Sequence, residues 1–184
     1  MEYASHLGLE WVVTPEIPET MWTLDGFHAA AKKLNEFGRR AKDLGMRFAF
    51  HNHDYEFAPR DTHGKTGFAV LLEETDPELV FFEMDCYWIA QAGLDPLTML
   101  KTMGKRIRLL HLKGRKNGFP TSYDMAPSSA HFAPVGSGAI DWKSILAEAE
   151  KLNVAHYFVE QDDTYGHPFG TISASYNYLR TFVP

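Results

Sequence analysis

The sequence predicts an α/β domain of five parallel strands alternating with helices. Three observations predict it. Five short β-branched or aromatic runs recur along the 184 residues, helix-period apolar patterns lie between them, and polar, metal-capable side chains stand where the runs stop. Strand–helix alternation implies right-handed βαβ units, and the length suits one domain, residues 1–184.

Met1 to Gly8 has the spacing and terminal glycine of a last helical turn. Leu9-Glu10-Trp11-Val12-Val13 reads as the first strand, and Pro15 and Pro18 place the next residues in a loop. From Thr23 to Leu44, Phe27, Ala30, Leu34, Phe37, Ala41 and Leu44 recur every three or four residues, the pattern of an amphipathic helix, and Gly45 caps it. Met46 to Phe50 is the second strand and runs into His51-Asn52-His53-Asp54-Tyr55-Glu56-Phe57. A short helix around Phe68 to Glu74 precedes the third strand, Leu79 to Asp85, whose nearly continuous apolar run suits a sheet covered on both faces.

Asp95-Pro96 caps a helix ending near Met103 and Gly104, and Arg106 to Leu112 is the fourth strand. Lys113 to Gly138 is rich in Gly, Pro and Ser and reads as a long functional loop. Asp141 caps the next helix, with Ile145, Leu146, Ala149 and Leu152 as its buried stripe. Ala155 to Glu160 is the fifth strand, and a last helix is expected over Ile172 to Phe182.

Composition removes several classes of function. The formal net charge of −6 offers no attraction for a nucleic-acid backbone. No apolar run approaches the roughly 20 residues needed to cross a bilayer. Cys86 is alone and cannot form an internal disulfide, and no leader pattern is visible, so a cytoplasmic protein is expected.

Ligands of parallel α/β sheets gather beyond the C-terminal strand ends. His51 and His53 lie on one face of the second strand's end, Asp85 ends the third, His111 lies at the end of the fourth, and Glu160 ends the fifth. Imidazoles and carboxylates from separate strands fit an open catalytic site for Zn, Mn, Co or Fe better than a closed structural one.

Read together, His51-Asn52-His53-Asp54-Tyr55-Glu56-Phe57, Glu83-Met84-Asp85-Cys86-Tyr87-Trp88, Leu109-Leu110-His111-Leu112-Lys113, Val135-Gly136-Ser137-Gly138-Ala139-Ile140-Asp141-Trp142 and Val159-Glu160-Gln161-Asp162 resemble the xylose isomerase-like superfamily of sugar phosphate isomerases and epimerases. The resemblance implies a metal-dependent (β/α)8 TIM barrel. In such barrels a divalent ion is held by Glu, Asp, His and Glu, and the last three match Asp85, His111 and Glu160. At the first position this chain carries His51, as the inosose dehydratase-like branch does, with His53 or Glu56 as alternative ligands.

The implied chemistry is proton abstraction beside the carbonyl of a small sugar or sugar phosphate, with a divalent ion (Mn, Co, Zn or Mg) stabilising the enediolate. Glu160 is the first candidate base, and His53 and Lys113 join it as catalytic candidates. Glu56, Tyr87 and Trp88 are candidate substrate contacts, the two aromatics as a stacking wall for a sugar ring. Gly136-Ser137-Gly138 reads either as a phosphate loop or as a tight entry to the Asp141 helix.

A closed barrel needs about 200 residues or more, and the five strands correspond to the family's last five. The expectation is therefore a partial barrel whose exposed edges are covered by self-association into a homo-oligomer. Two other functions remain: a catalytically inactive barrel fragment acting as a binding or assembly module, and a dehydratase of the inosose dehydratase type.

Overall fold

The computed structural model describes residues 1–182. Its centre is a five-stranded, all-parallel sheet of β1 (Trp11–Thr14), β2 (Arg47–His51), β3 (Phe81–Asp85), β4 (Ile107–Leu112) and, after a short antiparallel pair β5 (Gly114–Arg115) and β6 (Phe132–Ala133), β7 (His156–Val159). Neighbours in the sheet follow chain order, so it curls as half of a barrel. The helices are α1 (Glu2–His6), α2 (Leu24–Asp43), α3 (Gly67–Glu74), α4 (Cys86–Gln91), α5 (Pro96–Met103), α6 (Trp142–Lys151) and α7 (Pro168–Leu179).

The predicted helix starts follow from their caps. Thr23 accepts from the Gly26 N–H, Asp95 from Thr98 and Asp141 from Ser144, each satisfying an otherwise unpaired first-turn donor. The apolar stripe of α2 buries Phe27, Ala30, Leu34 and Ala41, but Phe37 stays 39% exposed. Main core residues between sheet and helices include Phe48, Phe50, Phe82, Leu110 and Trp142. Each cofacial residue stands two positions from the next along a strand, so β2 and β3 send one set into this core and the other toward the barrel axis.

Three expectations change. The segment after Lys113 is not wholly irregular: Gly114 and Arg115 pair with Ala133 and Phe132. A helix, α4, starts immediately after Asp85, whose carboxylate caps it. The last helix begins at Pro168 rather than Ile172, proline's fixed φ suiting the first helical turn. The edges stay open, with β7 exposed along its length and β1 only half-buried.

Candidate metal centre

Register brings the site together. His51 lies beside Glu83, and Asp85 beside His111, across paired strands. His51, Asp85 and His111 each offer one ligand atom, all within 4.8 Å of one another.

Asp85 is the pivot. It is fully buried, and its Oδ1 accepts the Tyr87 and Trp88 N–H groups at 2.8 and 3.2 Å. Its Oδ2 has no hydrogen-bond partner among the described residues. Around that oxygen stand Lys113 Nζ at 3.7 Å, His51 Nε2 at 3.8 Å and His111 Nδ1 at 3.9 Å. A buried, unpaired carboxylate oxygen is costly, and here it faces two imidazole nitrogens at distances that leave room for an ion. The donor set of imidazole and carboxylate fits a divalent transition ion.

Glu160 and Lys113 close one side. Glu160 Oε2 is 3.0 Å from His111 Nδ1 and accepts from Lys113 Nζ at 2.9 Å, and Lys113 also donates to Asp162 Oδ1 at 2.8 Å. The lysine, only 3% exposed, therefore has two carboxylate partners. Burial opposes its charge, but Asp85, Asp162 and Glu160 outweigh that and raise its pKa.

Burial and hydrogen bonding pull the titrating groups of the site in opposite directions. Burial alone would lower the His111 pKa, yet its hydrogen bonds to Glu160 and Glu83 carry it up to about 10. Glu160 is held down to about 2, first by the His111 hydrogen bond and then by Lys113. Burial, with the charges of His51 and Lys113, lowers His53 to about 3, leaving a neutral imidazole whose buried Nδ1 has no partner among the described residues.

These residues open onto a cavity of 630 Å³. His51, His53, Glu83, Trp88, His111, Lys113, Glu160 and Asp162 line it, together with Met125 and Pro127. The loop that carries Met125 is held by Asp54, which accepts the Met125 N–H at 3.2 Å, and by Arg115, which donates to the Phe119 and Pro120 carbonyls at 2.8 Å.

Two predicted substrate contacts lie elsewhere. Glu56 is fully buried behind His53, accepting its N–H at 2.9 Å. Tyr87 is fully buried against Phe132, ring centroids 4.9 Å apart. Neither lines the cavity, because Glu56 sits in a single helical turn that buries it and Tyr87 turns away on α4. The glycines near residue 137 serve packing: a Cβ on Gly138 would meet the Arg115 carbonyl oxygen at 2.1 Å, and one on Gly136 the Tyr178 ring at 2.3 Å.

Glu83 and Asp162 line the cavity without having been given a role from sequence, and Asp54, read there only as part of its motif, holds the Met125 loop. Glu83 was accessible to sequence reasoning, since Glu83 and Asp85 are two apart on one strand and share a face.

A family model described as xylose isomerase-like TIM barrel matches residues 1–181. Among curated proteins, the chain is 28% identical over 180 residues to an inosose dehydratase of Geobacillus thermodenitrificans, covering 90% of this chain and 56% of that protein. It is 29% identical over 160 residues to an inosose dehydratase of Clostridium tetani, covering 80% and 52%. The chain thus spans about half the length of these relatives. Among solved structures, a sugar phosphate isomerase/epimerase from Parabacteroides distasonis superposes with a TM-score of 0.79 at 25% identity, over 95% of this chain and 60% of that one. An IOLI protein with a bound zinc atom shares the fold, with a TM-score of 0.69 at 17% identity over 97% and 64% of the two chains. No helix among the described residues is long and apolar enough to cross a membrane. The chain belongs to the xylose isomerase-like TIM barrel family.

Proposed function

We propose that His51, Asp85, His111 and Glu160 hold one divalent ion, Mn, Co, Zn or Mg, and that the site moves a proton beside the carbonyl of a small sugar or sugar phosphate, as an isomerase or epimerase does. The observation that carries this reading is Asp85 Oδ2, buried, unpaired and ringed by His51, His111 and Lys113. When bound, the ion supplies Lewis-acid polarisation of the carbonyl and its neighbouring hydroxyl.

The chain's own groups divide the remaining work. Lys113, charged and fixed by Glu160 and Asp162, presents a preorganised cation on the cavity wall where enediolate charge develops. Glu160, whose side chain is 43% exposed, reaches the cavity and takes the carbon-bound proton. The hydrogen bond from His111 and the Lys113 cation hold Glu160 ionised, the form in which a carboxylate can accept a proton. His53, kept neutral by burial, lines the cavity beside a sugar hydroxyl, and Trp88 offers an aromatic face to the C–H side of the ring.

Incubating Mn²⁺-loaded protein with aldoses, ketoses and their phosphates in D2O tests this by NMR. The expected result is exchange of the hydrogen beside the carbonyl, lost in Glu160→Gln. No exchange with metal-loaded protein would favour the binding-module reading. The names of the curated relatives favour a second reading, dehydration, which begins with the same proton abstraction and then expels a neighbouring hydroxyl. A rising ultraviolet absorbance of an unsaturated ketone would identify it.

A further inference from the structure

We propose that Glu83 is the positioning carboxylate of this centre: its single oxygen Oε2 holds the outer nitrogens of both histidines, so that His51 presents Nε2 and His111 presents Nδ1 to the ion. The inference rests on the metal-site reading above and goes beyond it, because it assigns the ring nitrogens and names the residue that selects them.

An imidazole can bind a metal through either nitrogen, and the hydrogen bond made by the other one decides which. His51 Nδ1 is 2.9 Å from Glu83 Oε2, whereas its Nε2 faces Asp85 Oδ2 at 3.8 Å. His111 is turned the other way round. Its Nε2 is 3.3 Å from the same Glu83 oxygen, and its Nδ1 faces Asp85 Oδ2 at 3.9 Å and Glu160 Oε2 at 3.0 Å. The two rings lie 4.5 Å apart at 65°, which brings a nitrogen of each to one oxygen, His51 in a 2.9 Å hydrogen bond and His111 in a 3.3 Å ion-pair contact.

The backbone explains why Glu83 can do this. It pairs with His51 on β2, and a register shift between Phe82 and Glu83 aligns Asp85 with His111 on β4. Strand alternation then points Glu83 and Asp85 toward the same side, one on each flank of the imidazole pair. Glu83 is only 5% exposed, so its charge is directed at the rings and little is lost to water. Without it each ring loses the acceptor that sets which nitrogen faces the ion.

Zinc-loaded protein with 15N-labelled histidine tests the assignment by long-range 1H–15N correlation, alongside zinc titration of wild type, Glu83→Gln and Glu83→Ala. Expected are protons on His51 Nδ1 and His111 Nε2, metal-shifted resonances from His51 Nε2 and His111 Nδ1, and zinc affinity about 10–100-fold weaker in Glu83→Ala. Glu83→Gln, which keeps the volume and one acceptor oxygen, should lose less. Zinc on the opposite ring nitrogens in wild type would overturn the proposal, as would a Glu83→Ala protein with unchanged affinity and proton pattern. The wild-type spectrum decides by itself if Glu83→Ala does not fold. Absence of zinc binding by wild type would instead sink the metal site itself, and this proposal with it.

Discussion

Glu56 has no water to give its charge to. Its Oε2 accepts the His53 N–H and its Oε1 has no partner among the described residues. Burial is the largest influence and pushes its pKa up to about 8, against the lowering effect of backbone hydrogen bonds. A carboxyl whose folded pKa is raised adds stability that is complete below the unfolded value, 4.5, and is lost as pH rises through the folded value. Wild type should therefore lose stability relative to Glu56→Gln between about pH 4.5 and 8, measured as urea midpoints across that range, and a pH-independent difference would contradict the burial argument. At this scale the sequence showed Asp85, His111 and Glu160 because each stands at or just past a strand's apolar run. It did not show Glu83 as part of the site because Glu83 lies inside the run, where a single acid is easily passed over as strand filler. Asp54 and Asp162 gain meaning only from partners 71 and 49 residues away, Met125 and Lys113.

Elements were legible where period and caps agreed. All five strands and α2, α3, α5 and α6 could be read from apolar spacing bounded by Thr, Asp, Gly or Pro. The β5–β6 pair was not, because two-residue strands carry no period, and α4 was hidden because its cap is also the strand's last residue, Asp85. One close approach is testable. A Cβ on Gly38 of α2 would come within 2.5 Å of the Leu79 carbonyl oxygen, a backbone atom that cannot swing aside. Gly38→Ala should lower the denaturation midpoint, an overpacking cost of about 1–3 kcal/mol exceeding the gain of ~1 kcal/mol in helix propensity. An unchanged or raised midpoint would show that the loop before β3 gives way.

At the scale of the whole molecule, the half-barrel exposes Tyr157, Phe158 and Val159 along one edge of its sheet, each between 41% and 47% accessible. Unpaired strand edges with apolar side chains attract further polypeptide. We propose a second copy of the chain as the occupant, and light scattering should give a mass above the 20.9 kDa of one chain; a stable 20.9 kDa species would exclude it. The proposed metal centre is less dependent on those edges, since His51, Asp85 and His111 come from the three adjacent strands β2, β3 and β4, with Glu160 just beyond β7. Metal stoichiometry is accordingly the most direct test of the account. Protein stripped with chelator and titrated with Co²⁺ or Zn²⁺ should take up one ion per chain, and Asp85→Asn should abolish that uptake while remaining folded by circular dichroism, since its amide oxygen can still cap α4. No uptake by wild type, or equal uptake by Asp85→Asn, would contradict it.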